Sequence, residues 1–288
     1  MLRQFILVIP CILLYSGCSP KKLNNEGNEI KEEKQAINVR ENVLKSFHAS
    51  SLSMQLHTWG EGFSPEQLSD IGRTHHYLQL TNRGASAANL GIYISDLGYL
   101  IEYKRTEDIQ RYFDACFLLA GYVGLKKQFS QVAALQFSEI ISGDEDVEKS
   151  HKKLFGNAQN LSGGYEFKGM HAAALAGYYV EELYHLAGFI ESFSSLDAGD
   201  PKIQLNALRM LLNQQSSLAN LIGYFDHLTL KPQGLAVYQD FLRLQRIFLS
   251  PEITRLLKET EPMAVLTDSH FQKLVSEIKS IRGSIADF

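Results

Sequence analysis

No proline occurs between Pro65 and Pro201. Proline is accepted in the first turn of a helix but breaks its interior, and sheet proteins use it freely in their many turns. So long a stretch without one points to long helices. Three of the prolines that do occur fall where helices begin. Ser64-Pro65-Glu66-Gln67 sets a capping Ser, a Pro at the first helical position and a Gln three residues after the cap, and Asp200-Pro201 and Ser250-Pro251-Glu252 repeat the cap-then-proline order. Apolar spacing agrees. Ile109, Tyr112, Phe113, Cys116, Phe117 and Ala120 follow the 3-and-4 steps of one helix face, as do Leu208, Leu211, Leu218, Ile222 and Phe225, then Phe271, Leu274, Ile278 and Ile281. No segment keeps a period of two. The pattern predicts helices over 40–57, 65–82, 85–104, 107–123, 128–141, 146–160, 166–195, 202–227, 233–249, 251–258 and 268–282.

The expected fold class is therefore all-α, an irregular multi-helix bundle or a short array of helical hairpins. The pair 85–104 and 107–123, joined at Lys104-Arg105-Thr106, has the size of a repeat hairpin, but no register fits the tetratricopeptide pattern. Small residues recur on faces that should be buried: Gly84-Ala85-Ser86-Ala87-Ala88, Gly91, Gly98, Gly121, Gly177 and Gly188. Glycine inside a helix costs about 1 kcal/mol relative to alanine, so its repeated use predicts close backbone approach between helices.

The N-terminus reads as an address. Met-Leu-Arg-Gln precedes an apolar run from Phe5 to Tyr15 and then Ser16-Gly17-Cys18, the order of a secretory signal. The run is broken by Pro10 and is shorter than the roughly 20 residues that span a bilayer. Ser16-Gly17-Cys18 resembles the end of a bacterial lipobox, although Tyr15 stands where such signals usually carry Leu. The resemblance implies cleavage before Cys18 and acylation of its thiol and new amino terminus, which anchors a chain without spanning the membrane. Residues 19–40, with Lys21-Lys22, Asn24-Asn25 and Ile30-Lys31-Glu32-Glu33-Lys34, hold too few apolar side chains for a core and read as a flexible tether. The expected organisation is a lipoprotein signal at 1–17, lipidated cysteine and tether at 18–40, and a single α-helical domain at 41–288. With Cys18 lipidated, Cys116 has no partner for a disulfide; among apolar neighbours it reads as a buried, inert thiol.

With 28 Lys+Arg against 32 Asp+Glu the chain offers no basic excess for nucleic acid, so no nucleic-acid partner is expected. No phosphate-binding loop, Gly-x-Ser-x-Gly elbow or Cys-x-x-Cys is present. Gly91-Ile92-Tyr93-Ile94-Ser95-Asp96-Leu97-Gly98-Tyr99, followed by Tyr112-Phe113-Asp114-Ala115-Cys116, Gly177-Tyr178-Tyr179-Val180-Glu181-Glu182-Leu183-Tyr184 and the Gln214–Leu221 stretch, resembles uncharacterised α-helical lipoproteins of Bacteroidetes-type bacteria. That resemblance implies a helical fold and an envelope location, and no activity.

The sharpest chemical pattern is Glu182-Leu183-Tyr184-His185 with Glu181 beside it. A Glu-x-x-His step puts carboxylate and imidazole on one helix face, as in each half of a di-iron carboxylate bundle. The other such step, Glu148-Lys149-Ser150-His151, lies in a charged stretch, and further carboxylates would have to come from Asp96, Glu102 or Asp114. The commoner role for a buried Glu or His is structural. Asp96, between Ile94 and Leu97, needs partners or it neutralises; tyrosines such as Tyr93, Tyr99 or Tyr103 would fix it in a structural role, and a base in a cleft is the alternative. His75-His76 reads as helix surface and Trp59 as a ring closing the end of the core. The leading expectation is a non-enzymatic protein, lipid-anchored in the bacterial cell envelope, at the outer membrane, and acting as an accessory or interaction subunit of an envelope complex with no cofactor. The alternative is a metal- or small-molecule-binding helical protein using Glu181, Glu182, His185 and Asp96.

Overall fold

The computed structural model describes residues 52–60, 62–126, 129, 165–193, 200–228 and 236–287. The signal, Cys18, the tether, most of helix 40–57, the helices placed at 128–141 and 146–160 apart from Phe129, and Glu148 to His151 lie outside the described residues. Among the described residues the chain is helical and has no strand. In order these are α1 (Leu52–Thr58), two 3-10 turns (Pro65–Gln67 and Ile71–Arg73), α2 (Thr74–Tyr77), α3 (Arg83–Glu102), α4 (Thr106–Tyr122), α5 (Tyr165–Ser192), α6 (Pro201–Leu212), α7 (Gln215–His227), α8 (Ala236–Phe248), α9 (Pro251–Leu256), α10 (Pro262–Leu266) and α11 (Ser269–Ala286). The helices pack on one another as an all-α, multi-helix fold.

Two helices organise the rest. In α3 every residue from Gly84 to Ile101 is buried, so it has no solvent face; a helix apolar all round belongs in the interior. Its largest contact is with α5. The contacts pair rising numbers with rising numbers, Ala88 with Gly177, Ser95 with Glu182 and Asp96 with His185, so the two helices run parallel. Glycine makes the approach possible. A Cβ on Gly91 would stand 1.8 Å from the carbonyl oxygen of Ala174, and a Cβ on Gly177 would stand 1.8 Å from that of Ala88. Each glycine lies three residues after the alanine that faces the other, so the seam has local two-fold symmetry. The sequence matches it: Gly91-Ile92-Tyr93-Ile94-Ser95-Asp96-Leu97 and Gly177-Tyr178-Tyr179-Val180-Glu181-Glu182-Leu183 share the order Gly, any, Tyr, β-branched, polar, acid, Leu. The glycine expectation is met here, and a Cβ on Gly188 would come within 3.0 Å of the Gln67 side chain; a Cβ on Gly121 would meet only the Lys126 side chain, at 3.8 Å.

Around this pair, α4 returns antiparallel to α3 after Lys104, whose φ of 55° turns the chain left-handed, and α11 packs across α5 and α8. Asn82, Asp200, Ser250 and Asp268 cap α3, α6, α9 and α11 with their side chains. Trp59 stacks on Phe189, ring centroids 6.0 Å apart, and closes one end of the core; His75 and His76 are exposed on α2. Cys116 is fully buried, and burial, with Asp96 nearby, pushes its thiol well above the usual range.

Three expectations about elements change. The predicted helix 202–227 is two, broken at Asn213-Gln214, and Pro262 opens a short helix that the pattern had not marked. The predicted helix 65–82 is α-helical only over Thr74–Tyr77: 3-10 turns and extended residues run from Pro65 to Arg73, and Ser64 makes no capping bond but donates its hydroxyl to Glu66 at 2.8 Å. The physical reason lies in where the backbone groups go. Ser64 N–H donates to the Tyr99 hydroxyl at 3.2 Å, and Ser69 N–H to Asp96 Oδ2 at 3.0 Å. Ser69 C=O accepts from the Tyr112 hydroxyl, and Asp70 C=O from the Tyr93 hydroxyl at 2.9 Å. Side chains of α3 and α4 have replaced the i to i−4 ladder, and a backbone satisfied that way need not coil.

Candidate functional site

The polar side chains of α3 and α5 meet one turn beyond the glycine seam. Asp96, from α3, is completely buried between the Ser69 N–H and His185 Nε2, the latter 3.2 Å from Oδ1. His185, from α5, is equally buried and has Glu181 Oε1 at 3.7 Å, one helical turn back. Glu181 is gripped from the other side by Arg282 of α11: Nε reaches Oε2 at 3.0 Å and an Nη reaches Oε1 at 3.1 Å, a two-point hold of the kind guanidinium geometry favours. The same Nη donates to the Ser69 hydroxyl at 2.6 Å, and that hydroxyl donates to Glu181 at 3.4 Å. The guanidinium also lies 4.7 Å over the Tyr184 ring, while the Tyr99 ring packs 4.8 Å from His185. Four pieces of chain, the 64–70 segment, α3, α5 and α11, are thus joined through one cluster.

Asp96, Glu181 and His185 each present a ligand-type atom, all within 4.8 Å of one another. Glu182, part of the Glu-x-x-His step, is not among them. It accepts from Ser95 Oγ at 2.9 Å, shares a hydrogen bond with Tyr178 and lies in the field of Glu102. Asp114 is exposed and accepts from Gln110, away from the cluster. Asp96 is bonded to Ser69 N–H and His185, while Tyr93, one of the tyrosines expected beside it, donates its hydroxyl to the Asp70 carbonyl instead. No family model, curated protein or solved structure matches the chain. Its site is read from geometry alone.

The electrostatics follow from burial. Desolvation, reinforced by the Asp96 charge and opposed by Arg282 and His185, pushes Glu181 up to about 7. For His185 burial works against the charged ring, but the Asp96 hydrogen bond and the Glu181 carboxylate outweigh it and raise its pKa. Glu102, half-buried at the end of α3, is pushed up to about 6, mainly by desolvation and then by Glu182. Arg282, although largely buried, is held charged by Glu181. Two carboxyl groups, an imidazole and a guanidinium therefore answer one another inside the core.

As chemistry, the arrangement is closed. Asp96 and His185 form an acid–imidazole pair, but the nearby Ser69 hydroxyl is committed to Glu181 and Arg282. His185 Nδ1 is buried with no hydrogen-bond partner, whereas a metal-bound imidazole normally donates its second N–H to an acceptor that orients it. Arg282 is also placed where a divalent ion would have to share Glu181 with it. These side chains fit a metal poorly.

Two members of the cluster escaped the sequence reading. Ser69 fell inside a predicted helix and carried no signal of its own. Arg282 did carry one: it follows Val275 and Ile278 and precedes Ile285 in 3-and-4 steps, a lone charge on the apolar stripe of α11.

Proposed function

We propose that this protein is a non-enzymatic, lipid-anchored binding protein of the bacterial cell envelope, held at the outer membrane through Cys18 and serving as an accessory subunit of an envelope complex. The observation that carries the non-enzymatic part is the two-point hold of Arg282 on Glu181. With that cation in place, the ionisable groups at the centre of the fold are spent on joining four segments, and recognition is left to the surface. Ser16-Gly17-Cys18 supports the anchor. No described helix is long and apolar enough to cross a membrane, and acylation asks for none. The test is metabolic labelling with palmitate of the full-length protein, followed by cross-linked capture from gently solubilised membranes. Label should be lost in Cys18→Ser, and one envelope protein should co-purify in stoichiometric amount. A wild-type chain without label, or without a stoichiometric partner, contradicts the proposal.

The competing reading, an internal metal site, has one observation in its favour, the 4.8 Å convergence of Asp96, Glu181 and His185. Elemental analysis of protein purified from its host decides it. The proposal predicts substoichiometric metal and an unfolding midpoint indifferent to chelator. Stoichiometric metal lost together with stability on chelation would establish the alternative.

A further inference from the structure

A cleft of about 490 Å³ opens between the 63–71 segment and the first turns of α4. Pockets of roughly 300–1,000 Å³ with an apolar lining and a few placed polar groups are those that take small molecules. One wall is apolar, made by Phe63, Pro65, Leu68 and Ile71. The facing wall carries Arg105 and Arg111 with Asp108 between them. Each guanidinium stands 3.5 Å from Asp108, longer than the 2.7–2.9 Å of a charge-assisted hydrogen bond. One carboxylate thus answers two guanidiniums at a distance, which leaves the wall with one net positive charge and donors to spare. Arg105 is further positioned 4.5 Å over the Phe63 ring, which places a cation directly beside the apolar wall. The other acid in the cleft, Asp70, is turned to its own backbone, accepting Gly72 N–H at 2.8 Å.

We propose that this cleft binds a small amphipathic anion: a compact carboxylate held by Arg105 and Arg111, with a flat or branched apolar body against Phe63, Pro65 and Leu68. The carboxylate belongs to a free acid or to the end of a short peptide, since both present the same group to the guanidinium pair. The floor of the cleft gives it a rigid base. Ser69 is fixed through its N–H, hydroxyl and carbonyl to Asp96, Arg282 and Tyr112, so the apolar wall is pinned to the buried cluster and the site is formed before a ligand arrives. This inference is independent of the anchored-partner proposal, because a small-molecule site can be present with or without a protein partner.

The experiment is isothermal titration of the full chain with phenylacetate, with its neutral amide phenylacetamide as control, and then with a dipeptide ending in phenylalanine and that dipeptide's C-terminal amide. Saturable binding of at least one of the two acids is expected, on the order of 1 mM or tighter for so small a ligand. Neither amide should bind. Arg105 and Arg111 are exposed, so Arg105→Gln and Arg111→Gln should keep the wild-type circular dichroism and unfolding midpoint, and each should weaken binding about tenfold or more; Leu118→Ala, on the exposed side of the same helix, should leave binding unchanged. Preference for phenylacetate assigns a free acid and preference for the dipeptide a peptide end. The proposal is overturned if neither acid binds, if acid and amide bind equally, or if the two arginine substitutions leave the affinity unchanged.

Discussion

α3 and α5 share a glycine, a seam and nearly a motif, yet their acids are answered from opposite ends of the chain. Asp96 of α3 is tied to Ser69, which precedes it, whereas Glu181 of α5 is tied to Arg282, which lies near the C-terminus. The seam is symmetric because backbone contact through Gly91 and Gly177 depends only on the absence of a side chain, and each helix offers the same gap. The polar layer is asymmetric because a carboxylate in the interior must find a donor, and the donor has to come from whatever chain passes nearby. Symmetric packing therefore sets where the helices sit. Asymmetric charge pairing decides which further segments are fastened to them.

That contrast can be broken at its symmetric part first, where the largest effects are expected. Gly91→Ala and Gly177→Ala each drive a methyl into a facing carbonyl oxygen, so each should cost more than about 3 kcal/mol or prevent folding, and by similar amounts. Urea denaturation checks this, and a large difference between the two would dissolve the symmetry. At the asymmetric part, Arg282→Met strands Glu181 as a buried acid without its guanidinium and should cost about 3–5 kcal/mol in the same assay.

The pH dependence should sharpen the picture. Glu181, raised from 4.5 to about 7, and His185, raised from 6.5, both keep protons in the folded chain that the unfolded chain has released. Their contribution is complete at low pH and is lost as pH rises through the folded pKa. The stability advantage of the wild type over Glu181→Gln should accordingly shrink by more than about 1 kcal/mol between pH 5 and pH 8, measured as paired urea midpoints. A smaller effect is expected from Tyr112→Phe, which leaves the Ser69 carbonyl unanswered at a cost of about 1–3 kcal/mol, and should speed amide hydrogen exchange in residues 64–72 more than in α5. Least affected should be Glu182→Gln, which keeps acceptors for Ser95 and Tyr178 and should cost about 1 kcal/mol without loss of fold.

What could be read in the sequence follows the same division. Packing left a periodic signal: proline placement and 3-and-4 spacing give α3, α4, α5 and α11 nearly to their ends, and the glycines announced the close approach. The 65–73 stretch looks helical in sequence because its capping pattern is local, while the tyrosine and aspartate donors and acceptors that hold it open come from α3 and α4. Asp96, Glu181 and His185 stood out as charges in apolar helices. Which of them touch was not legible, since Glu182 and Glu181 are neighbours in sequence and only the rotation of α5 against α3 chooses between them. Arg282 lies 101 residues from Glu181, and nothing local links the two.

The central claim, that Glu181 and Arg282 form a lock across the core, is tested most directly by a double-mutant cycle on Glu181→Met and Arg282→Met, measured by urea denaturation with chelator present throughout. Each single variant should lose several kcal/mol, and the double variant should recover most of that loss, because methionine at both positions strands no charge. Additive losses, or single variants as stable as the wild type, would contradict the account.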